Sequence, residues 1–275
     1  MTASDHTTAT ATPRMETSRL ALVGIVGLAA GFLSGLFGVG GGILIVPALV
    51  FIVKMEQRLA HGTSLAAVLP IAFSSLFGFW TQGHIDWPVA FFLAIGAIGG
   101  AVLGTKLLHV LPHRVLGIAF AIVLLLSAIR LFIATEADGR STLTVAAALA
   151  LIAVGVVTGI LAGLLGVGGG IVMVPVMIVV FKMTPVLAKG TSIAVIIPTS
   201  LMGTWRNRKK RNADLTVAAI MGGAGVVSAW LGTKVSGAMS DTTSNVLFAI
   251  LLTVVAFRML WQLARERRAD PAATE

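Results

Sequence analysis

The chain has 275 residues, 57% of them hydrophobic and 11% charged, with a formal net charge of +9 and neither cysteine nor tyrosine. Soluble domains carry about 25% charged residues, so these figures, with a mean hydropathy of +0.98, exclude a soluble protein built on one large core and indicate an integral membrane protein. The missing cysteines exclude disulfides, thiolate metal sites, haem attachment and cysteine nucleophiles; the basic residues lie between apolar runs, where topology and anionic lipid headgroups account for them without nucleic acid.

Residues 1–18 are rich in Thr, Ala and Ser and read as a disordered tail. They are not a cleaved signal peptide, because Asp5 and Glu16 spoil a basic n-region. A first membrane repeat is expected over 19–134. It opens with an uncharged block between Arg19 and Lys54 that carries "SGLFGVGGGILIVP" at 34–47. Apolar segments follow at Gly62–Gly83, Trp87–Thr105 and Val115–Ile129, and the hydrophilic patch "ATEADGR" (134–140) interrupts them. A second repeat is expected over 141–262. Its first block, Ser141–Phe181, carries "AGLLGVGGGIVMVP" at 162–175; Gly190–Trp205, Leu215–Thr233 and Thr242–Phe257 complete it. A basic tail occupies 263–275. The eight segments lie near the ~20 residues that span a hydrocarbon core as helix.

The halves match at a constant offset of 128 residues without a gap. "GLFGVGGGILIVP" (35–47) falls on "GLLGVGGGIVMVP" (163–175), and "HGTSLAAVLP" (61–70) on "KGTSIAVIIP" (189–198). Asp86 falls on Asp214, "LGTK" (103–106) on "LGTK" (231–234), and Arg130 on Arg258. The expected architecture is therefore an all-α membrane protein of two homologous four-segment repeats.

The first block would be about 51 Å long as one helix, too long for a core of about 30 Å and too short for two spans. Each Gly costs roughly 1 kcal/mol in a helix relative to Ala, and three contiguous ones concentrate that weakness. The helix is expected to unwind around Gly38–Gly42 and again around Gly166–Gly170, resuming at Ile43 and Ile171. Unwound backbone at membrane depth must be buried in protein or line a cavity. Paired breaks at matching places point to a transporter's substrate site near the midplane. The resumed helices present unpaired N–H groups at their positive ends, so the expected ligand is a small anion held by backbone amides of both halves. The competing reading gives the glycines to helix packing alone, in a scaffold that transports nothing.

"GTS" (Gly62, Thr63, Ser64 and Gly190, Thr191, Ser192) opens a span in each half, where the hydroxyls either cap a helix or face the anion. His61 and Lys189 precede it. They are expected as interfacial anchors, with a charge at a vestibule as the alternative; Lys106 and Lys234, after "LGT", are expected to snorkel. No dinucleotide fingerprint and no GK[ST] is present, and the histidines lack ligand spacing. No enzyme, catalytic residue, metal or cofactor is expected.

The duplicated Gly motif, the "GTS" that follows it and the eight segments resemble the sulfite exporter TauE/SafE family of anion transporters over roughly residues 20 to 260. The resemblance implies a multi-pass transporter of a bacterial inner membrane. It would move sulfite, an organosulfonate or another small organic anion, outward and linked to protons, with import of the same anion class as the alternative and membrane lipid as its other partner. Matched residue by residue, the family motif points to Gly38, Gly40, Gly41, Gly42, Thr63 and Ser64 with Gly166, Gly168, Gly169, Gly170, Thr191 and Ser192 as the site, and to Pro47 and Pro175 as supports of the helix breaks. A related thiosulfate-uptake group uses cysteines that this chain lacks. No Asp or Glu lies in any segment, so a coupled proton would ride on the substrate itself.

Orientation follows from "RNRKKRN" (206–212) and the arginines after Phe257, which the positive-inside rule makes cytoplasmic together with both termini. Two topologies satisfy this. Either each long block crosses once and the halves are parallel, or each folds back at its glycines and the halves are inverted. The inverted arrangement gathers more basic residues on one face and is favoured. The oligomeric state has no signal in the sequence.

Overall fold

The structure, a computed structural model, describes residues 17–107, 113–133, 143–165, 168–209 and 212–269. Among them the backbone is helical throughout its regular elements: α1 (Thr17–Phe37), α2 (Gly42–Phe51), α3 (Gln57–Trp80), α4 (Trp87–Leu107) and α5 (His113–Ile133), then α6 (Val145–Leu165), α7 (Gly170–Val179), α8 (Pro185–Lys209), α9 (Leu215–Ala238) and α10 (Asp241–Ala269). Each of the second five starts 128 residues after its counterpart. Eight segments become ten helices because the glycines split the first of each half. Residues 1–16, most of the expected tail, and the "ATEADGR" patch lie outside the described residues. Helix α10 runs past residue 262 to Ala269, and Arg265 lies over the Trp261 ring, 3.7 Å from its centroid.

Among the described residues seven helices are long and apolar enough to cross a membrane: α1, α3, α4, α6, α8, α9 and α10. Large apolar side chains such as Phe73, Phe77, Phe91 and Phe257 are exposed, as a lipid-facing surface requires. Helices α2 and α7 have 10 residues each, about 15 Å of helix, half a bilayer core.

The halves exchange partners. Helix α1 packs along α9 of the other half, and α6 along α4. Both seams are made by glycines with backbone against backbone. A methyl group on Gly27, Gly31 or Gly35 would overlap the backbone of Met221, Gly225 or Ala229; one on Gly155 or Gly159 would overlap Leu93 or Ala97. Close backbone approach of this kind drives helix association in lipid, where no hydrophobic force acts between helices.

The same contacts give direction. Numbers rise together along α1 and α9, and along α3 and α9, where Gly222 meets Pro70 and Gly78 meets Thr233. Helices α1, α3 and α9 are therefore parallel. By contrast α3 and α8, which are counterparts, run antiparallel: Gly190 faces Phe79 while Gly203 faces Leu65. Counterparts that point opposite ways are related by an axis in the membrane plane, so the repeats are inverted.

Parallel α1 and α3 also decide the course of the long block. Only five residues, 52–56, join α2 to α3, and at 3.3–3.6 Å per residue they span at most about 18 Å. Helix α2 must thus return toward the face from which α1 started. Gly41 accordingly lies back beside the carbonyl of Ala30. The long blocks are hairpins, one entering from each face. Two apolar cores result: one unites α1, α2, α3 and α9 with Ile193 and Ile196 of α8; the other unites α4, α5, α6, α7 and α10 with Ala188 and Val195 of α8 and reaches the end of α1 and the start of α2.

Candidate functional site at the crossing of the glycine loops

Helix α1 stops at Phe37 and α2 starts at Gly42; α6 stops at Leu165 and α7 starts at Gly170. Both restarts come one residue before the expected Ile43 and Ile171. The connecting backbone has positive φ at Gly38, Gly40 and Gly41, and at Gly168 and Gly169. The last glycine of each loop caps its half-helix in the left-handed conformation, φ 72° at Gly41 and 78° at Gly169, a region where a side chain costs roughly 1–2 kcal/mol. Gly166 lies outside the described residues.

The two loops run past each other. A Cβ on Gly170 would overlap Gly38 O and the Cα of Val39. One on Gly40 would touch Ile196 and Val68, which sit halfway along α8 and α3. The crossing is therefore at the midplane, where both Gly clusters were expected to converge. Helices α2 and α7 leave it toward opposite faces, so their N-termini confront each other. The amides of Gly42, Ile43, Gly170 and Ile171 have no carbonyl four residues back inside a helix, and two positive dipole ends meet at one place. Gly38 through Gly42 and Gly168 through Gly170 are all buried. Among the described residues no carboxylate lies in the middle of a span.

The threonine hydroxyls of "GTS" accept bonds from the opposite half. Helices α3 and α8 begin at Gln57 and Pro185, so Thr63 and Thr191 lie in the second turn and cap nothing. The Asp214 amide donates to Thr63 Oγ1 at 2.9 Å, and the Asp86 amide to Thr191 Oγ1 at 3.0 Å. Each threonine thereby ties its helix to the loop of the opposite half. Ser192 Oγ donates to the Gly38 carbonyl and also reaches Lys189 O at 3.0 Å. Ser64 is buried and engaged as well. Together these bonds hold the crossing in place. Asp214 also accepts the amides of Thr216 and Val217 as the cap of α9.

The prolines are not at the breaks. Pro47 and Pro175 lie inside α2 and α7, the sixth residue of each. A proline there cannot bond the carbonyl four residues back, which leaves those of Ile43 and Ile171 without that partner in the first turn beside the crossing. Pro70 and Pro198 do the same inside α3 and α8, next to Val68 and Ile196.

The four basic candidates separate. Lys234 is exposed, its Nζ 5.4 Å from the Trp230 ring centroid, at a span's end and away from the crossing. The Lys106 side chain lies outside the described residues. His61 is half-buried with a partner of its own. Lys189, expected as an anchor, is instead completely buried: Nζ donates to Ser244 Oγ at 2.5 Å and Ser236 Oγ at 3.2 Å and lies 5.5 Å from the Phe37 ring centroid. The anchor reading failed because α8 starts four residues before Lys189, and the end of α9 and the start of α10 cover it. In the loop between α3 and α4, burial keeps His84 below the ordinary histidine range, and its backbone carbonyl packs on Gly190.

A family model described as "Sulfite exporter TauE/SafE" matches residues 3–131 and 151–274. Bacillus subtilis (strain 168) has a protein called "Probable membrane transporter protein YunE" that is 26% identical over 266 residues, covering 88% of this chain and 96% of that protein. A "Probable membrane transporter protein" of Xylella fastidiosa (strain 9a5c) is 27% identical over 252 residues, covering 89% and 96%. A similarly described protein of Methanocaldococcus jannaschii is 28% identical over 260 residues, covering 88% and 95%.

Proposed function

The chain belongs to the sulfite exporter TauE/SafE family, a multi-pass membrane protein of transporter kin, and on that premise we propose that it is a secondary carrier of a small anion, sulfite or an organosulfonate above all. The observation that carries this reading is the meeting of two half-helix N-termini at the midplane, with no carboxylate among the described residues beside them to repel an anion. The amides of Gly40, Gly41, Gly42 and Ile43, with those of Gly168, Gly169, Gly170 and Ile171, would bind it. Thr63, Thr191 and Ser192 hold the loops in register, and the carbonyls freed by Pro47 and Pro175 let the half-helix starts flex. Because the hairpins enter from opposite faces, moving one or the other would open the buried crossing to one face at a time, as alternating access requires.

The direction we propose is outward. A coupled proton would travel on the anion, since the middle of the described spans offers no carboxylate to carry it. Purified protein in proteoliposomes should move at least one of sulfite, sulfate or sulfoacetate above protein-free vesicles; no flux for any small anion would end this reading.

The face bearing the start of α1, the end of α10 and the loop after α8 is, in this reading, the cytoplasmic face of a bacterial inner membrane. A cysteine placed at Ala137 should then react with an impermeant thiol reagent in intact cells. Labelling only after permeabilisation would reverse the orientation.

A further inference from the structure

Lys189 is a buried amine with no anion in contact among the described residues. Its side chain has no exposed surface, and a buried charge is tolerated only when paired or well bonded. The groups that meet it are neutral: Ser236 Oγ, Ser244 Oγ and the face of Phe37. Among the described residues no carboxylate is in ion-pair contact with Nζ. Asp241, exposed in the first turn of α10, acts on it only at longer range.

The donors are also in excess. An ammonium carries three protons, and two go to the serine oxygens. Each serine then has a hydroxyl proton to give, and among the described residues neither finds an acceptor. When the amine carries its third proton, one N–H and two O–H groups lack an oxygen acceptor among the described residues, and what would satisfy them is a group that only accepts.

The place is adjacent to the crossing. A Cβ on Gly38 would overlap the Lys189 backbone, and Phe37, whose ring faces Nζ, is the residue that ends α1. The arrangement is also one-sided. At the positions 128 residues earlier the sequence has His61, Leu108 and Leu116, two of them unable to bond.

We propose that Lys189, Ser236 and Ser244 form a second anion station, between the glycine crossing and the face from which α8 starts, that takes a small oxyanion such as sulfite or a sulfonate. The proposal rests on the anion-carrier reading. It deepens that reading by making the two halves unequal: one approach to the crossing has Lys189 and two serines, and the matching positions of the other have His61 and two leucines. An oxyanion fits because several acceptor oxygens can meet three convergent donors, and the ammonium supplies its counter-charge.

The test is thermal unfolding of the full-length detergent-solubilised chain with sodium sulfite, sulfate, sulfoacetate or chloride, comparing wild type with Lys189→Met, Ser244→Asp and Lys234→Met. At about 100-fold over its dissociation constant an oxyanion should raise the wild-type midpoint by roughly 5 °C. Lys189→Met should lose most of that rise. Ser244→Asp places a carboxylate beside Nζ, so it should raise the midpoint without added anion and abolish the response. Lys234→Met should respond as wild type does. A wild-type response kept in full by Lys189→Met or by Ser244→Asp would overturn the station while leaving the glycine crossing as the anion site. No response of the wild type to any anion would overturn the station together with the anion reading. Should Lys189→Met not fold, Ser244→Asp alone decides.

Discussion

Gly41→Ala and Gly169→Ala should each reduce anion flux in proteoliposomes at least about tenfold while the protein still folds. Both residues cap their half-helices with φ near +75° (72° and 78°), where an alanine costs roughly 1–2 kcal/mol. At Gly41 the new methyl would also lie 2.7 Å from the carbonyl oxygen of Ala30, which is helix backbone and cannot turn aside. At Gly169 the nearest atom, at 2.9 Å, is the Cε end of Met173, which can. The loss should therefore be larger at Gly41. A packed domain is stable by about 5–15 kcal/mol, so neither change should unfold it; each should displace the amides that face the ligand. A displacement of about 1 Å is enough to cost a preorganised site up to 100-fold. Monodisperse elution with lost flux is the expected pair of results. Wild-type flux in Gly41→Ala would return the glycines to a packing role.

The seams should respond in the opposite sense, losing the fold before the flux can be asked. Gly31→Leu drives a side chain into the backbone of Gly225, and Gly100→Leu into that of Val156. Overpacking of a core side chain commonly costs 1–3 kcal/mol, and here neither wall is a side chain that can rotate. Parallel helices held by backbone contact would have to separate along their length. The folded, monodisperse fraction should fall below a tenth of wild type. Gly24→Leu and Gly99→Leu, on the same helices but facing open space, should yield wild-type amounts. Equal yields from all four would show that the seams do not hold the halves together.

The breaks were legible because three contiguous glycines in an uncharged block leave few alternatives, and the repeat because its offset never drifts. Inversion had only a charge bias in its favour until α3 and α8 were seen to run antiparallel. Partner exchange went unread: glycines every four residues at 27, 31 and 35 announce a close-packing face, but which of several apolar helices meets it is a tertiary choice. The cross-half bonds of the "GTS" threonines went unread for a related reason. Their partners, the amides of Asp86 and Asp214, are more than a hundred residues away and belong to the opposite half. Lys189 was the plainest miss. A lysine near a segment's start reads as an anchor, yet Pro185, suited to the first turn of a helix, was a signal that α8 begins earlier and carries the lysine inward.

The pairing of α1 with α9 also sets a clock on biosynthesis. The Gly27–Gly35 stripe leaves the ribosome almost two hundred residues before its partner at Met221–Ala229 exists. At 5–20 residues per second that interval is about 10–40 s. Throughout it the newborn hairpin must sit in lipid with its narrowest face bare. Small-residue faces associate with any similar helix nearby, so the chain's period of greatest risk falls before its last third is made. Whatever shields that stripe during translation, the insertion machinery or the first half's own α3, guards the assembly of the whole molecule.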